Sequence, residues 1–369
     1  ARFERLDFPT ARQVAGKLVH ARALDLAEAR GLLVEVAAPG RDCASVVGPQ
    51  GAPAGKAARP PRLKVALAGC GVVGGGVLRR LLAEPDRWQV TAVLVRDPSR
   101  PRDPGLPPEL FTADAARLLD GADVLVEALS DGAAGHRLIH AALDAGLHVV
   151  SANKQALARD LPGLHALADA RAVTLVYSAA VGGGAPVVET VRQAADQGQV
   201  AVVEGVLNGT VNFLIDRLGR GVAFTEALEE ARRAGFAEED PSSDLDGRDA
   251  AAKLRILAAE AFGHAPTETQ VSRQSFHLGL ACSPEAWRGL RQVSRCRLEA
   301  GRLVGEVAYE RVEPGSPLAG LRGERNALRV VLADGSVRAC QGRGAGRWPT
   351  AEAMLADLGD LSRAAIIRI

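Results

Sequence analysis

Lysine is scarce in this 369-residue chain: of 45 basic side chains only five are lysine, namely Lys17, Lys56, Lys64, Lys154 and Lys253. Two of these sit in polar stretches where an ammonium group has chemistry open to it. Lys154 closes Ser151-Ala152-Asn153-Lys154, directly after the apolar pair Val149-Val150. If that pair ends a parallel strand, the lysine lies on the carboxyl edge of the sheet, where open α/β folds bind ligands. Lys253 closes the stretch Glu238-Glu239-Asp240-Pro241-Ser242-Ser243-Asp244-Leu245-Asp246-Gly247-Arg248-Asp249-Ala250-Ala251-Ala252-Lys253. A helix starting near Asp246 puts Asp249 and Lys253 one turn apart on one face. Acidic residues so placed bind an ammonium group, and a lysine donates a proton to a carbonyl oxygen as hydride arrives. The spacing alone fits a capped helix with a surface Asp–Lys pair equally well.

A hydride needs a carrier, and the sequence offers a place for one. Gly69-Cys70-Gly71-Val72-Val73-Gly74 is G-x-G-x-x-G, set between the apolar run Leu63-Lys64-Val65-Ala66-Leu67-Ala68 and a helical pattern reaching about Leu82. In that context Gly69 permits the tight turn, Gly71 lets the backbone approach a pyrophosphate, and Gly74 allows close helix–strand packing. The helix start, at Val72 and Val73, supplies N–H donors and partial positive charge. The next strand ends Val95-Arg96-Asp97-Pro98-Ser99-Arg100. Arg96, with Arg100 near, suits a ribose 2′-phosphate and favours NADP(H), while Asp97 keeps NAD(H) open. Asn208-Gly209 marks a turn and Thr210 is a candidate helix cap. Gly182-Gly183-Gly184-Ala185-Pro186 lets a backbone approach a ligand closely, and both motifs read equally well as plain turn chemistry.

These residues need elements to carry them. Strands at 63–68, 90–95, 124–126, 149–150 and 173–177 alternate with helical stretches at 72–82, 113–119 and 133–145, the pattern of a doubly wound parallel sheet. After 178 the pattern becomes mixed, with a helix at 185–195, a strand at 200–207, helices at 210–218, 225–234 and 247–262, and alternating segments near 299–310 and 326–340. This predicts a second, α+β domain. Residues 11–30 read as one helix, followed by a strand at 32–36, and the Pro/Gly/Ala-rich 39–62 reads as a linker. The net charge of +1, from 45 basic and 44 acidic residues, gives no support for a nucleic-acid or membrane binder. No apolar run approaches a transmembrane length. Cys43, Cys70, Cys282, Cys296 and Cys340 form no CxxC pair or zinc spacing, and with no visible signal peptide they predict a reduced, cytoplasmic protein.

The ordered series 69–74, 151–154, 181–186, 205–212, 235–253 and 342–350 resembles homoserine dehydrogenase, over residues 62–360. The strings Gly205-Val206-Leu207-Asn208-Gly209-Thr210-Val211-Asn212-Phe213 and 234–257 carry more of the resemblance than the glycine fingerprint. The resemblance implies a Rossmann-type domain at 63–177, a substrate and dimerisation domain at 178–325, and a segment at 326–369 that returns to the nucleotide domain. It implies reduction of L-aspartate 4-semialdehyde to L-homoserine with NAD(P)H, on the route to threonine and methionine, in a homodimer. It gives Lys253 and Lys154 catalytic roles and brings Glu238, Asp244, Asp249, Asn208, Gly209 and Thr210 to the substrate. With the fingerprint and Arg96 it groups Ser130, Asn153, Lys154 and Gly346 around the cofactor. It also implies a monovalent cation on backbone carbonyls of Ser178, Val181, Gly183 and Ala185, although many relatives carry Glu where Ser178 stands. Phe236 replaces a more usual Tyr.

Two rival readings stay open: another NAD(P)-dependent enzyme acting on an amino-acid aldehyde, and a non-catalytic relic of a bifunctional kinase–dehydrogenase. The second is motivated by residues 16–27, which are similar to the late region of aspartokinases but lack the proline usual after the histidine. That makes 1–38 a kinase-like remnant without kinase activity. With no room for regulatory domains in 39–62 or after 360, little feedback inhibition by threonine is expected.

Overall fold

The computed structural model describes residues 5–14, 21–29, 34–37, 44–48, 62–100, 102–103, 105–299, 301–344 and 347–367. The chain divides into two units, Ala1–Pro60 and Pro61–Ile369. In the first, β1 (Arg5–Leu6), β2 (Val34–Ala37) and β3 (Ala44–Val47) form a sheet in the order β1-β3-β2. Helices α1 (Phe8–Val14) and α2 (Ala21–Ala29) accompany it, and Phe8, Ala11, Leu24, Ala27 and Val47 make a small core. One expectation changes here: the segment 39–62 contains a strand, β3, whose Ala-Ser-Val-Val run pairs with both neighbours. Of the helix expected at 11–30, residues 11–14 and 21–29 are helical, and 15–20 lie outside the described residues.

The second unit opens with six parallel strands: β4 (Leu63–Ala68), β5 (Trp88–Leu94), β6 (Phe111–Thr112), β7 (Val124–Glu127), β8 (His148–Ser151) and β9 (Leu175–Val176). Their spatial order is β6-β5-β4-β7-β8-β9. Strand order therefore reverses between β4 and β7, which creates a ligand crevice at their carboxyl ends. Helices α3 (Val72–Ala83), α4 (Ala115–Leu119), α5 (Gly132–Asp144), α6 (Lys154–Leu157) and α7 (Leu161–Ala170) connect these strands. The strands are near-continuous apolar runs because both faces are covered, and Val65, Ala66, Leu67, Val124, Leu125 and Val126 are all fully buried.

A mixed sheet follows, built from β10 (Val200–Val206), β11 (Val271–Arg273), β12 (Leu290–Glu299), β13 (Arg302–Arg311), β14 (Arg325–Leu332) and β15 (Val337–Arg343), in the order β11-β13-β12-β10-β14-β15. Its helices are α8 (Val187–Gln197), α9 (Gly209–Leu218), α10 (Phe224–Arg233), α11 (Ser242–Leu245), α12 (Arg248–Phe262) and α13 (Pro284–Arg288), and the last helix is α14 (Arg347–Ile367). The segment 326–369 does not return as a whole to the first sheet: β14 pairs with the central β10, and β15 pairs with β14. Alternation alone cannot say which sheet a strand joins. Only α14 makes the return, packing on α3 and β8 with Met354 and Leu358 buried against Val65 and Leu78.

One apolar cluster runs through both halves of this unit, from Leu125, Ile139 and Leu157 to Leu254, Val203 and Leu328. Helix α12 lies at its centre and packs on α6, α7 and α8. The shared core fixes the carboxyl edge of the first sheet against the start of α12.

Candidate active site

Helix α12 begins after Gly247, whose left-handed φ of +78° breaks the chain between α11 and α12. Asp246 Oδ1 accepts the Arg248 N–H at 3.0 Å from two residues before the helix, since the N-cap position is Gly247, which has no side chain. This leaves Asp249 in the first turn, where a carboxylate is favoured, and 5% exposed. Its two oxygens hold two lysines: Oδ2 lies 2.7 Å from Lys253 Nζ and Oδ1 lies 2.9 Å from Lys154 Nζ. The Asp–Lys pair of the helix is therefore not a surface pair: a buried Asp249 holds a largely buried Lys253 and a Lys154 that stays about one-third exposed. Burial alone would raise the Asp249 carboxyl, but the ammonium groups of Lys253 and Lys154 outweigh it and hold the acid well below the usual carboxylate range. The attraction of Asp249 in turn raises Lys154 against the opposing effect of its burial.

Asn208 ties the neighbouring turn to this cluster. Its Oδ1 caps α9 by accepting the Val211 N–H at 2.9 Å. Its Nδ2 donates to Asp244 Oδ1 at 2.8 Å and to Asp249 Oδ2 at 3.1 Å. Burial, and then the charge of Asp249, raise the Asp244 carboxyl. Thr210 is not the cap: it lies inside α9, next to the buried Gly209, and its hydroxyl donates to the Phe236 carbonyl at 2.5 Å. That bond draws the loop carrying the exposed Glu238 toward α9, and Glu238 adds to the negative charge acting on Lys154. Lys253 Nζ also donates to the Leu207 carbonyl at 2.9 Å, which accepts Asn326 Nδ2 at 3.3 Å as well.

The dinucleotide fingerprint has the geometry its glycines predict. Gly69 takes φ of +93°, and a Cβ on Gly74 would lie 2.0 Å from the Gly69 carbonyl oxygen. Gly71 faces open space, and no side chain caps α3 there, so the N–H groups around Val72 and Val73 remain available to an anion. Arg96 and Ser130 are exposed at the ends of the loops after β5 and β7. The Asp97 carboxylate is turned into its own loop, where Oδ1 accepts the Ser99 N–H at 2.9 Å and the Ser99 hydroxyl at 2.6 Å. These bonds hold Asp97 below its ordinary range. Asn153 caps α6 and is buried, and its amide donates to Glu127 Oε1 at 3.1 Å and to the Asp131 carbonyl at 3.3 Å. Its side chain therefore serves the sheet edge and positions Lys154 next to it. Gly346 lies outside the described residues.

Ser178 stands in the turn between β9 and α8, with Val181 and Ala185 buried and Gly183 near the Arg343 carbonyl. Among the described residues no group of three or more His, Cys, Asp and Glu side chains forms a metal site. The Ser178 hydroxyl donates to Glu189, whose second oxygen is buried without a hydrogen-bond partner among the described residues. Asp357 of α14 accepts the Ser178 N–H at 3.0 Å, and burial pushes its carboxyl up to about 6.

Sequence reasoning missed Glu127 and Asn326. Glu127 is fully buried at the end of β7, accepting Ser151 Oγ at 2.7 Å, Asn153 Nδ2 and the Leu129 N–H. Its burial raises the carboxyl. The readable signal was a charge closing the apolar run Val124-Leu125-Val126.

The site thus joins an NAD-type crevice to a cluster of two lysines on one buried aspartate. Residues 186–358 match the family model described as homoserine dehydrogenase, and residues 69–178 match the one described as homoserine dehydrogenase, NAD binding domain. A homoserine dehydrogenase of Synechocystis is 32% identical over 328 residues, covering 80% of this chain and 72% of the relative. The chain belongs to the homoserine dehydrogenase family. A homoserine dehydrogenase of Corynebacterium glutamicum is 33% identical over 81% of this chain and 72% of its own. The crystal structure of a homoserine dehydrogenase from Thiobacillus denitrificans superposes with a TM-score of 0.70 at 30% identity, covering 83% of this chain and 74% of that one. Family membership accounts for the parallel Rossmann-type sheet, the second mixed sheet and the nicotinamide-dependent oxidoreductase class.

Proposed function

We propose that this chain interconverts L-aspartate 4-semialdehyde and L-homoserine with a nicotinamide cofactor. The observation that carries the reading is Asp249 holding Lys154 and Lys253 side by side at the mouth of the crevice. When bound, the nicotinamide supplies or accepts the hydride. Lys253 commits two of its three N–H donors, to Asp249 and the Leu207 carbonyl, and keeps one for a substrate oxygen. Lys154, more exposed and raised by Asp249, stays protonated beside it. Two fixed ammonium groups stabilise an alkoxide developing on the aldehyde oxygen, and Lys253 delivers its proton. Asp244 and Glu238 supply negative charge toward the substrate's ammonium group. Binding that cation offsets the repulsion Asp244 suffers from Asp249.

NADP(H) is the favoured cofactor in this reading. The support is that Arg96 is exposed while the rival Asp97 is occupied by Ser99. A monovalent cation on the carbonyls of Ser178, Val181, Gly183 and Ala185 remains part of the proposal, with Glu189 as its neighbouring carboxylate. A homodimer through the mixed sheet, a cytoplasmic location and a place in threonine and methionine synthesis belong to the same reading. No described helix is long and apolar enough to cross a membrane. The kinase-like origin of residues 16–27 rests on sequence alone, and 16–20 lie outside the described residues.

The deciding assay follows homoserine oxidation with NADP⁺ and NAD⁺ separately, in the wild type and in Lys253→Ala. Homoserine-dependent turnover that drops roughly 100-fold or more in the variant supports both substrate and site. Folded, cofactor-binding protein without homoserine turnover sinks the substrate assignment, and a panel of amino-acid aldehydes then tests the nearest rival.

A further inference from the structure

At the end of α9 far from Asn208, a cavity of about 390 Å³ opens between Asp216 and Arg220 of the α9 terminus, Arg288 at the end of α13, Arg291 of β12, and Leu321 and Arg322 of the loop before β14. Four of these side chains are arginines and one is a carboxylate. That carboxylate is already engaged, since Asp216 Oδ2 accepts Arg220 Nη2 at 2.8 Å and the Gly323 N–H at 3.3 Å. Arg291 is only 6% exposed. Its Nη atoms donate to the carbonyls of Leu290 at 2.5 Å and Leu321 at 2.7 Å, while its Nε is buried with no partner among the described residues. A buried guanidinium facing carbonyl oxygens carries a net charge that dipoles solvate but do not neutralise. Arg288 turns its Nε to the Gly219 carbonyl at 2.8 Å and pairs its Nη2 loosely, at 3.6 Å, with the exposed Glu285. Arg322 is exposed on the opposite wall.

We infer that this cavity binds a small phosphorylated anion, at a site separate from the dinucleotide crevice. Planar guanidinium forks arranged around a concave space match phosphoryl oxygens in geometry and charge. The volume suits a compact phosphorylated metabolite. None of these residues belongs to the glycine fingerprint or to the Asp249 cluster, so the inference stands apart from the proposed reaction.

The test is calorimetric titration of the full chain with inorganic pyrophosphate at fixed ionic strength, in the presence of saturating NADP⁺. One equivalent should bind per chain. The double variant Arg220→Ala/Arg322→Ala, whose residues are exposed, should weaken it roughly tenfold or more. Its homoserine turnover without pyrophosphate should stay within about twofold of wild type, since neither residue is near Asp249. Arg291→Lys, which keeps the charge and loses the unpartnered Nε–H, should also weaken binding. Loss of binding when NADP⁺ is added places the anion in the dinucleotide crevice and overturns the inference. So does undiminished binding by a folded double variant. Equal affinity for citrate overturns the phosphoryl class. The binding assay uses no homoserine, so its outcome is separable from that of the turnover assay.

Discussion

Asp249 is the residue on which the site's charge balance turns. Replacing it by Asn keeps the shape and removes the anion between two ammonium groups. Because Asp249 is the main cause of the raised Lys154, Asp249→Asn should move the basic limb of the kcat profile to lower pH, besides lowering kcat. An unmoved basic limb in a folded variant would remove Lys154 from the proton chemistry. Arg96→Ala should raise KM for NADP⁺ roughly tenfold and leave KM for NAD⁺ nearly unchanged, as expected of one charged contact to a phosphate. Equal effects on both cofactors would reassign the 2′-phosphate contact. The Asp249–Lys253 half of the cluster was legible, because positions four apart on a helix face each other. The Lys154 half was not, since no local period links a residue after β8 to the start of α12.

Elements were legible where their surroundings impose one pattern. The parallel strands are covered on both faces, so each reads as an apolar run between helices. Strand β12 escaped because Arg291, Gln292 and Ser294 are buried polar residues within it, which erases the alternation. Helix α14 carries a further consequence. Burial chiefly, and the charge of Glu189, raise Asp357 to about 6, above its unfolded value. A carboxyl raised on folding favours the protonated folded state, so its contribution is complete at low pH and disappears as pH rises through about 6. At about 1.4 kcal/mol per pKa unit this is up to roughly 3 kcal/mol. Asp357→Asn, which can still accept the Ser178 N–H, should therefore raise stability above pH 6 and leave it almost unchanged near pH 4, roughly the ordinary carboxyl range. Denaturant titrations of both proteins at the two pH values would show it. A variant less stable than wild type at the higher value would contradict the assignment.

At the scale of the whole molecule, every described residue of the candidate site falls within Pro61–Ile369, which has its own continuous core. A chain beginning at residue 61 should keep kcat for homoserine oxidation within about twofold, because it retains all those contacts. A larger loss would give the first unit a part in catalysis that its sequence did not announce. The resemblance covers nearly the same residues as the second unit, whereas the 39–62 segment misled: Pro, Gly and Ala dominate its composition while four residues of it pair as a strand.

Lys154 is delivered by the first sheet, and Asp249 and Lys253 by the helix that serves the second. The charges proposed for catalysis are thus a property of the seam between two layers and belong to neither. Opening the seam strips Asp249 of one counter-ion while it is still largely buried, so separation is opposed by the same group on which the proposed reaction depends. Heat, denaturant or a distant core mutation that loosens the layers should silence turnover while most of the secondary structure persists. Loss of activity then reads as a gauge of how well two halves of one chain still meet.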